Sequence, residues 1–373
     1  MVRMRTLRFL TLVFAVSLFA GAAPNAYFVY VGTYTGHGSQ GIYAYRFEPL
    51  GGKLTDIGLV ARTENPSYLA VDPRGAHLYA ANENNIATVS AFSIDRMTGK
   101  LVPLNQLSSR GASACALAVN HAGTLLFAAN YRSGNVILFP IRPDGGLSEA
   151  SYVDQHQGSS VNAQRQEKPH AHAAVFSPDD RFALSADLGV DQIYLYRVDP
   201  KRRILMPHGM AGVLPGAGPR HLTFTPDGKF VYVINELAST VTAFSWNAGV
   251  MKQIETVPAL PKDYTGPKSG AEIQVHPDGR FLYASNRGEA NDIAIFKIDP
   301  QTGRLTAAGH VPSGGRTPRN FAIDPTGWYL FAANQDSDNI TLFRIDAKTG
   351  GLTPSGKTIA ISAPVCVQFV PAE

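Results

Sequence analysis

Three features of the 373-residue sequence predict an all-β fold, a seven-bladed β-propeller of four-stranded blades closed by pairing of the N- and C-terminal strands. A strand, turn and strand unit recurs six times. Each copy is followed by two more short runs with strand character. A seventh unit is divided between the two ends of the chain.

The recurring unit is read from "PSYLAVDPRGAHLYAANE" (66–83), "SACALAVNHAGTLLFAANY" (113–131), "AHAAVFSPDDRFALSADL" (171–188), "PRHLTFTPDGKFVYVINE" (219–236), "GAEIQVHPDGRFLYASNR" (270–287) and "PRNFAIDPTGWYLFAANQ" (318–335). Each is an apolar run, a Pro/Asp/Gly turn and a second alternating run ending in Asn or Asp, the pattern of a β-hairpin. The turn residues Gly75, Gly123, Asp180, Gly228, Gly279 and Gly327 are spaced by 48, 57, 48, 51 and 48 residues.

After each hairpin comes a third run such as "ATVSAFSID", "QIYLYRVD" or "NITLFRID", then a turn and a fourth such as "GRLTAAGHV". Four strands per unit of this length specify a propeller blade, which cannot bury both faces alone and so must stack on its neighbours. In the split unit "APVCVQFVPAE" supplies the first strand, and "YFVYVGTYT" with "GIYAYRFEP" supplies later ones. Joining the chain ends in one sheet removes the open edge that would invite aggregation. The single long step contains "SYVDQHQGSSVNAQRQEK" (151–168), read as a polar loop that delivers the chain to His170 and His172; long loops in compact folds are functional or mobile.

Composition fits one large domain, with 45% hydrophobic and 17% charged residues. Residues 1–22 have the form of a cleaved export signal: Arg3, Arg5 and Arg8 precede "FLTLVFAVSLFA", and Ala20, Gly21 and Ala22 form a small-residue cleavage site. The apolar run is too short to span a membrane. The expected product is therefore a periplasmic or secreted monomer over residues 23–373, with no membrane attachment after cleavage. Its removal takes three of the 33 basic residues and no acids, leaving 30 against 29. No basic cluster interleaved with aromatics points to nucleic acid. Cys115 and Cys366 lie in apolar contexts and read as buried free thiols.

Register converts the repeat into geometry. Eight residues before each turn stand Ser67, Cys115, His172, Arg220, Ala271 and Arg319, with Val365 in the split unit; eight after stand Glu83, Tyr131, Leu188, Glu236, Arg287 and Gln335, with Thr33 assigned to the split unit. In an antiparallel hairpin the start of one strand lies beside the end of the next, so both sets share one rim of the central channel. The preceding residues Gly32, Asn82, Asn130, Asp187, Asn235, Asn286 and Asn334 are nearly uniform around the ring, which suits hydrogen bonds that fix the strand-to-strand turns.

An asymmetric substrate needs groups that differ between blades. His172, Arg220, Glu236 and Arg287 differ from their equivalents and come from three consecutive repeats, so they are the candidate catalytic set. His170, His221, Arg319 and Glu83, at or beside the same rim, are candidates for substrate contacts. Each has a structural alternative: a capped strand residue for His172, an ion pair for Arg220 with Glu236, and a carbonyl tie for Arg287. His170 alternates with His172 and points to the other face of a strand. Arginines grip carboxylates and phosphates or stabilise an oxyanion, and His and Glu move protons near neutral pH. H-x-H alone is a weak metal motif, and no H-E-x-x-H, G-x-S-x-G or nucleotide loop is present.

"GTYT", "GIYAYRF", "NPSYLAV", "RQEKPHAHAAVFSPD", "GPRHLTFTPDG", "VINELASTV" and "FLYASNRG" together resemble the seven-bladed propeller lactonases, which include bacterial propeller-type 6-phosphogluconolactonases and fungal carboxy-muconate cyclases. The resemblance covers essentially the whole mature chain. It implies hydrolysis of a sugar-acid or related anionic lactone by a metal-independent acid/base mechanism with no cofactor. The family's site maps onto His172, Arg220, Glu236 and Arg287, leaving His172 and Glu236 as alternative bases. A muconate-type cycloisomerase and a non-catalytic binding scaffold are the competing readings. The export segment favours a lactone without phosphate, since phosphorylated sugar lactones are cytoplasmic metabolites.

Overall fold

The computed structural model describes residues 24–36 and 38–373, and they form seven four-stranded antiparallel sheets. The expected export segment, residues 1–22, lies outside the described residues. Six sheets take their strands in chain order. In the first blade these are Pro66–Val71, His77–Asn82, Thr88–Ile94 and Leu101–Ser108. First strands of neighbouring blades pack together around the axis, except between the third and fourth blades, where Pro219–Phe224 meets the second strand Phe182–Asp187, and the sheets form a ring. The seventh blade is the split one, with Pro364–Pro371 innermost, then Tyr27–Thr33, Gly41–Glu48 and Lys53–Arg62.

The core is divided among the blade interfaces. Tyr79 and Val89 of the first blade pack with Leu117, Leu126 and Ile137 of the second. Phe47 of the seventh meets Phe331 and Tyr329 of the sixth edge-to-face, with ring centroids 5.0 and 5.2 Å apart. Each such aromatic side chain contributes roughly 1.5–3 kcal/mol by leaving water. The second-strand tyrosines of "LYAAN", "VYVIN" and "LYASN" also staple one blade to the next: Tyr79, Tyr232 and Tyr283 donate to the carbonyls of Gly145, Gly303 and Gly350. A buried phenol needs such an acceptor.

The hairpin turns stand where the repeat places them. Gly75, Gly123, Gly228, Gly279 and Gly327 have φ between 64° and 77°, and Asp180 takes the same left-handed conformation at 57°. Asp is one of the few side chains that tolerates it. Asp180 gains compensation there, since its carboxylate accepts from the amides of His121 and Ala122 in the adjacent turn.

The long connection is shorter than the sequence suggested. Tyr152–Gln155 is the fourth strand of the second blade, paired with Asn135–Leu138, so the loop begins at His156 instead of residue 151. Period two was present in "YVDQ" but masked by its polar flanks. The loop's far end has little ladder of its own: the first strand of the third blade is reduced to Val175–Phe176 and a bridge between Ala171 and Asp187.

Candidate active site

A recurring irregularity aims the rim residues. In the first blade Pro66 pairs with Asn82 but Tyr68 pairs with Ala81, leaving Ser67 as an extra residue. The same slip isolates Cys115, Arg220, Arg319 and Val365, and in the third blade the amides of His172 and Ala173 both donate to the Ala186 carbonyl. A β-bulge breaks the alternation of side chains. Arg220 and His221, though consecutive, therefore both turn inward, where His221 meets Tyr68 of the first blade at a centroid distance of 5.6 Å.

The rim encloses a cavity of about 340 Å³ lined by Tyr34, Glu83, Tyr131, Arg165, His172, Glu236, Ser269, Arg287 and Arg319. That volume suits a monosaccharide-sized ligand. Three of the four candidate catalytic residues line it, as do Glu83 and Arg319. Arg220 does not; it is 1% exposed and lies beneath the wall. His170 and His221 are also absent from the lining.

Glu236 is the centre of one wall. Its Oε1 accepts from Arg165 Nη2 at 2.6 Å, and its Oε2 lies 3.0 Å from both Arg220 Nε and Arg287 Nη2. Burial alone raises a carboxyl pKa, but the Arg287, Arg220 and Arg165 charges outweigh it and hold Glu236 down at about 2. It is a fixed carboxylate with both oxygens engaged. The Arg220 contact is ionic and off the N–H axis, since Nε has no hydrogen bond, while Nη1 donates to the Ala271 carbonyl at 2.7 Å. Below it, His221 Nδ1 is 3.1 Å from Glu272 Oε1, and Glu272 also accepts from Asn320.

His172 is kept neutral. Burial pushes its pKa well below the usual histidine value, and the charges of Arg220, His221 and Arg319 push in the same direction. Its Nδ1 is buried without a partner, which leaves Nε2 as the ring nitrogen available to a bound molecule. His170 instead supports the wall: its ring stacks on Tyr131 at 4.6 Å and its Nδ1 is 3.0 Å from the Tyr131 carbonyl.

The acid that replaces Asn in the third repeat explains how the loop is held. Asp187 Oδ2 is 2.6 Å from His156 Nδ1 at the loop's start, and Oδ1 accepts from the His170 amide at its end. Gly189 is required beside it, because a Cβ there would stand 1.9 Å from the Lys168 carbonyl. In the other blades the equivalent side chains fix the strand-to-strand turn and also clamp the incoming chain: Asn130, Asn286 and Asn334 donate to Asn135, Asp292 and Thr341 of their own blades and to the carbonyls of Ser109, Ala259 and Ser313. Asn235 bonds in the same way to Thr240 and Thr242.

The opposite wall corrects the register of the split blade. Thr33 pairs with Pro364 as Asn82 pairs with Pro66, and the Tyr34 amide donates to the Ala363 carbonyl as the Glu83 amide does to Asn65. Thr33 thus occupies the Asn position assigned to Gly32, and Tyr34 is the rim residue. With chain ends in place of a turn there is no glycine to count from. Tyr34 donates its hydroxyl to Glu83 Oε2 at 2.6 Å, and Arg319 lies over the Tyr34 ring at 5.3 Å with Nη2 3.6 Å from the same oxygen.

Residues 28–369 match a profile described as "Lactonase, 7-bladed beta-propeller". The chain belongs to this propeller lactonase family. A Bacillus subtilis protein named 6-phosphogluconolactonase is 38% identical over 92% of this chain and 98% of its own. A Formosa agariphila protein of the same name is 34% identical over 83% and 90% of the two chains. The solved structure of the Pseudomonas aeruginosa periplasmic gluconolactonase PpgL superposes with a TM-score of 0.89, 32% identity and coverage of 93% and 100%.

In this propeller lactonase, the cavity combines Arg165, Arg287 and Arg319, with Arg220 behind them, against the carboxylates of Glu83 and Glu236. Two positive charges are left over, an environment suited to a bound anion or a developing oxyanion. Arg165, Tyr131, Tyr34 and Ser269 were not singled out from the sequence. Arg165 comes from the non-repeating loop, where no register applies. Tyr131 stood in the rim set but was passed over for groups of greater charge.

Proposed function

We propose that this protein hydrolyses a lactone of a sugar acid, of the 6-phosphogluconolactone or gluconolactone type, to the open hydroxy acid. The observation that carries this is the monosaccharide-sized, net-cationic cavity in a lactonase-family propeller. The names of the Bacillus and Pseudomonas relatives support the same substrate class. The cationic excess favours a lactone bearing an anionic group, which outside the cytoplasm, where phosphorylated sugar lactones are not expected, is a carboxylate.

Arg287 and Arg319 present guanidinium groups to the cavity, where they bind the anionic group and stabilise the carbonyl oxygen as it gains charge. Removal of one such donor typically costs about 3–4 kcal/mol of transition-state stabilisation. His172, held neutral, offers Nε2 as a hydrogen-bonding group beside the ester. Glu236 aligns the guanidinium groups of Arg165, Arg220 and Arg287; engaged at both oxygens and held at about 2, it is poorly suited to take a proton from water.

The mature protein is further proposed to act outside the cytoplasm. The Arg-flanked apolar run with its Ala20-Gly21-Ala22 site supports this, as does the periplasmic description of PpgL. N-terminal sequencing of protein recovered from the periplasm or medium tests it. The activity is tested by pH-stat titration of purified protein against sugar δ-lactones with and without phosphate. Acid release by wild type, lost in Arg287→Ala, supports the reading; turnover of muconate diacids without ester hydrolysis replaces it by cycloisomerisation, and no turnover of either leaves a binding scaffold.

A further inference from the structure

The cavity holds two carboxylates on facing walls, and they are not equivalent. Glu236 has both oxygens occupied by guanidinium groups. Glu83 is held through Oε2 alone, by the Tyr34 hydroxyl at 2.6 Å and Arg319 Nη2 at 3.6 Å. Among the described residues no hydrogen bond reaches Glu83 Oε1, and the residue lines the cavity. Burial keeps the Tyr34 phenol protonated, so it donates and fixes the carboxylate plane.

The geometry points to Glu83 as the catalytic base of this site, taking a proton through Oε1 from the water that attacks the lactone. This rests on the lactonase reading and assigns a step that the sequence had left to His172 or Glu236. A general base needs a free lone pair facing the reactants, a fixed orientation and an accessible water; of the two carboxylates only Glu83 has the free oxygen. His172 is poorly suited, because burial and the cations around it work against its becoming protonated.

The step balances within the site. Glu83 accepts a proton from water as the water oxygen bonds to the lactone carbonyl carbon, and the carbonyl π pair moves onto oxygen, where the guanidinium groups receive it. When that pair returns, the ring C–O bond breaks. The leaving ring oxygen takes the proton back from Glu83, giving the hydroxy acid, whose carboxyl then ionises. The titratable and charged groups facing Glu83 are Tyr34, Arg319 and the Cys115 thiol at close range, and Tyr131, His172, Arg165, Glu236 and Arg287 across the cavity.

The test is the measurement of kcat and KM for full-length wild type, Glu83→Gln, Glu83→Ala with and without formate, and Tyr34→Phe on the most active lactone. Glu83→Gln is expected to lower kcat by about 100-fold or more, with formate restoring part of the rate to Glu83→Ala. KM is expected to change by no more than about threefold, because a transition-state role is lost and not ground-state binding. Tyr34→Phe keeps the carboxylate but releases its plane, and is expected to lower kcat about tenfold with KM little changed. This loss is read from an active enzyme and does not depend on Glu83 variants folding. Wild-type kcat in Glu83→Gln, or in Tyr34→Phe, overturns the assignment while leaving the lactonase reading intact. Failure of wild type to open any lactone overturns both.

Discussion

Arg165 Nη2 lies 2.6 Å from Glu236 Oε1, joining a loop outside the repeat to the end of a fourth-blade strand 71 residues away. The arginine is 42% exposed on its side chain, whereas its partner is 7% exposed. It is the one member of the Glu236 cluster that can be removed without opening the core. Arg165→Ala is expected to lower kcat/KM by about 10- to 100-fold, the loss of one charge-assisted hydrogen bond worth about 1.5–3 kcal/mol. Initial-rate kinetics check this, with Arg165→Lys recovering only part of the loss.

Glu236 itself is a stability element. Glu236→Gln leaves Arg220 and Arg287 buried without their counter-ion, which is expected to cost about 3–5 kcal/mol of unfolding free energy. The pH dependence has a definite sign. The carboxyl titrates at about 2 in the folded chain, against about 4.3 when unperturbed. Its contribution is therefore complete above the unfolded value and is lost as pH falls through the folded one. Denaturant unfolding from pH 6 down to pH 2 should show this decline in wild type and a shallower one in Glu236→Gln.

Arg319 should behave in the opposite way. Among the described residues its only ion pair is the 3.6 Å contact with Glu83, and its charge presses on Arg220. Arg319→Ala is expected to raise KM for an anionic lactone about tenfold and to lower kcat as well, since the guanidinium both binds the anion and stabilises the carbonyl oxygen. Its thermal midpoint should stay within about 2 °C of wild type, as befits a functional residue that contributes little to the fold.

The excess positive charge of the cavity predicts a salt effect confined to charged substrates. For a phosphorylated lactone kcat/KM should fall several-fold between about 20 and 300 mM salt, as screening shortens the reach of the guanidinium field. For an uncharged lactone it should change little. Parallel assays on the two substrates check the contrast.

Neither thiol should be reactive in the native ring. Cys115 and Cys366 are buried and unpaired, and burial pushes Cys366 up to about 12 and Cys115 further. A thiol reagent is expected to label neither before denaturation and both after it.

The blades were legible because each repeat carries its own turn residue, and six such residues do stand in left-handed conformation where counting placed them. Counting from those turns also brought His172, Glu236, Arg287, Glu83 and Arg319 to one opening. Where a turn residue is missing, register gives no guide. The split blade has no turn, so Tyr34 was displaced by one position in favour of Thr33. The loop from His156 has no period, so Arg165 carried no signal. Arg220 stood in the right ring but lies behind the wall, because depth along the axis is set by side-chain packing and not by register.

The clasp between Pro364–Pro371 and Tyr27–Thr33 has a consequence for ring closure. The split sheet lacks its innermost strand until Pro364–Pro371 is in place, so the annulus cannot shut on the preceding residues alone. Tyr34 sits one residue beyond that clasp and steers Glu83. Catalytic competence is thereby coupled to that closure, and a molecule deprived of Pro364–Pro371 would be expected to forfeit turnover even with every other sheet intact.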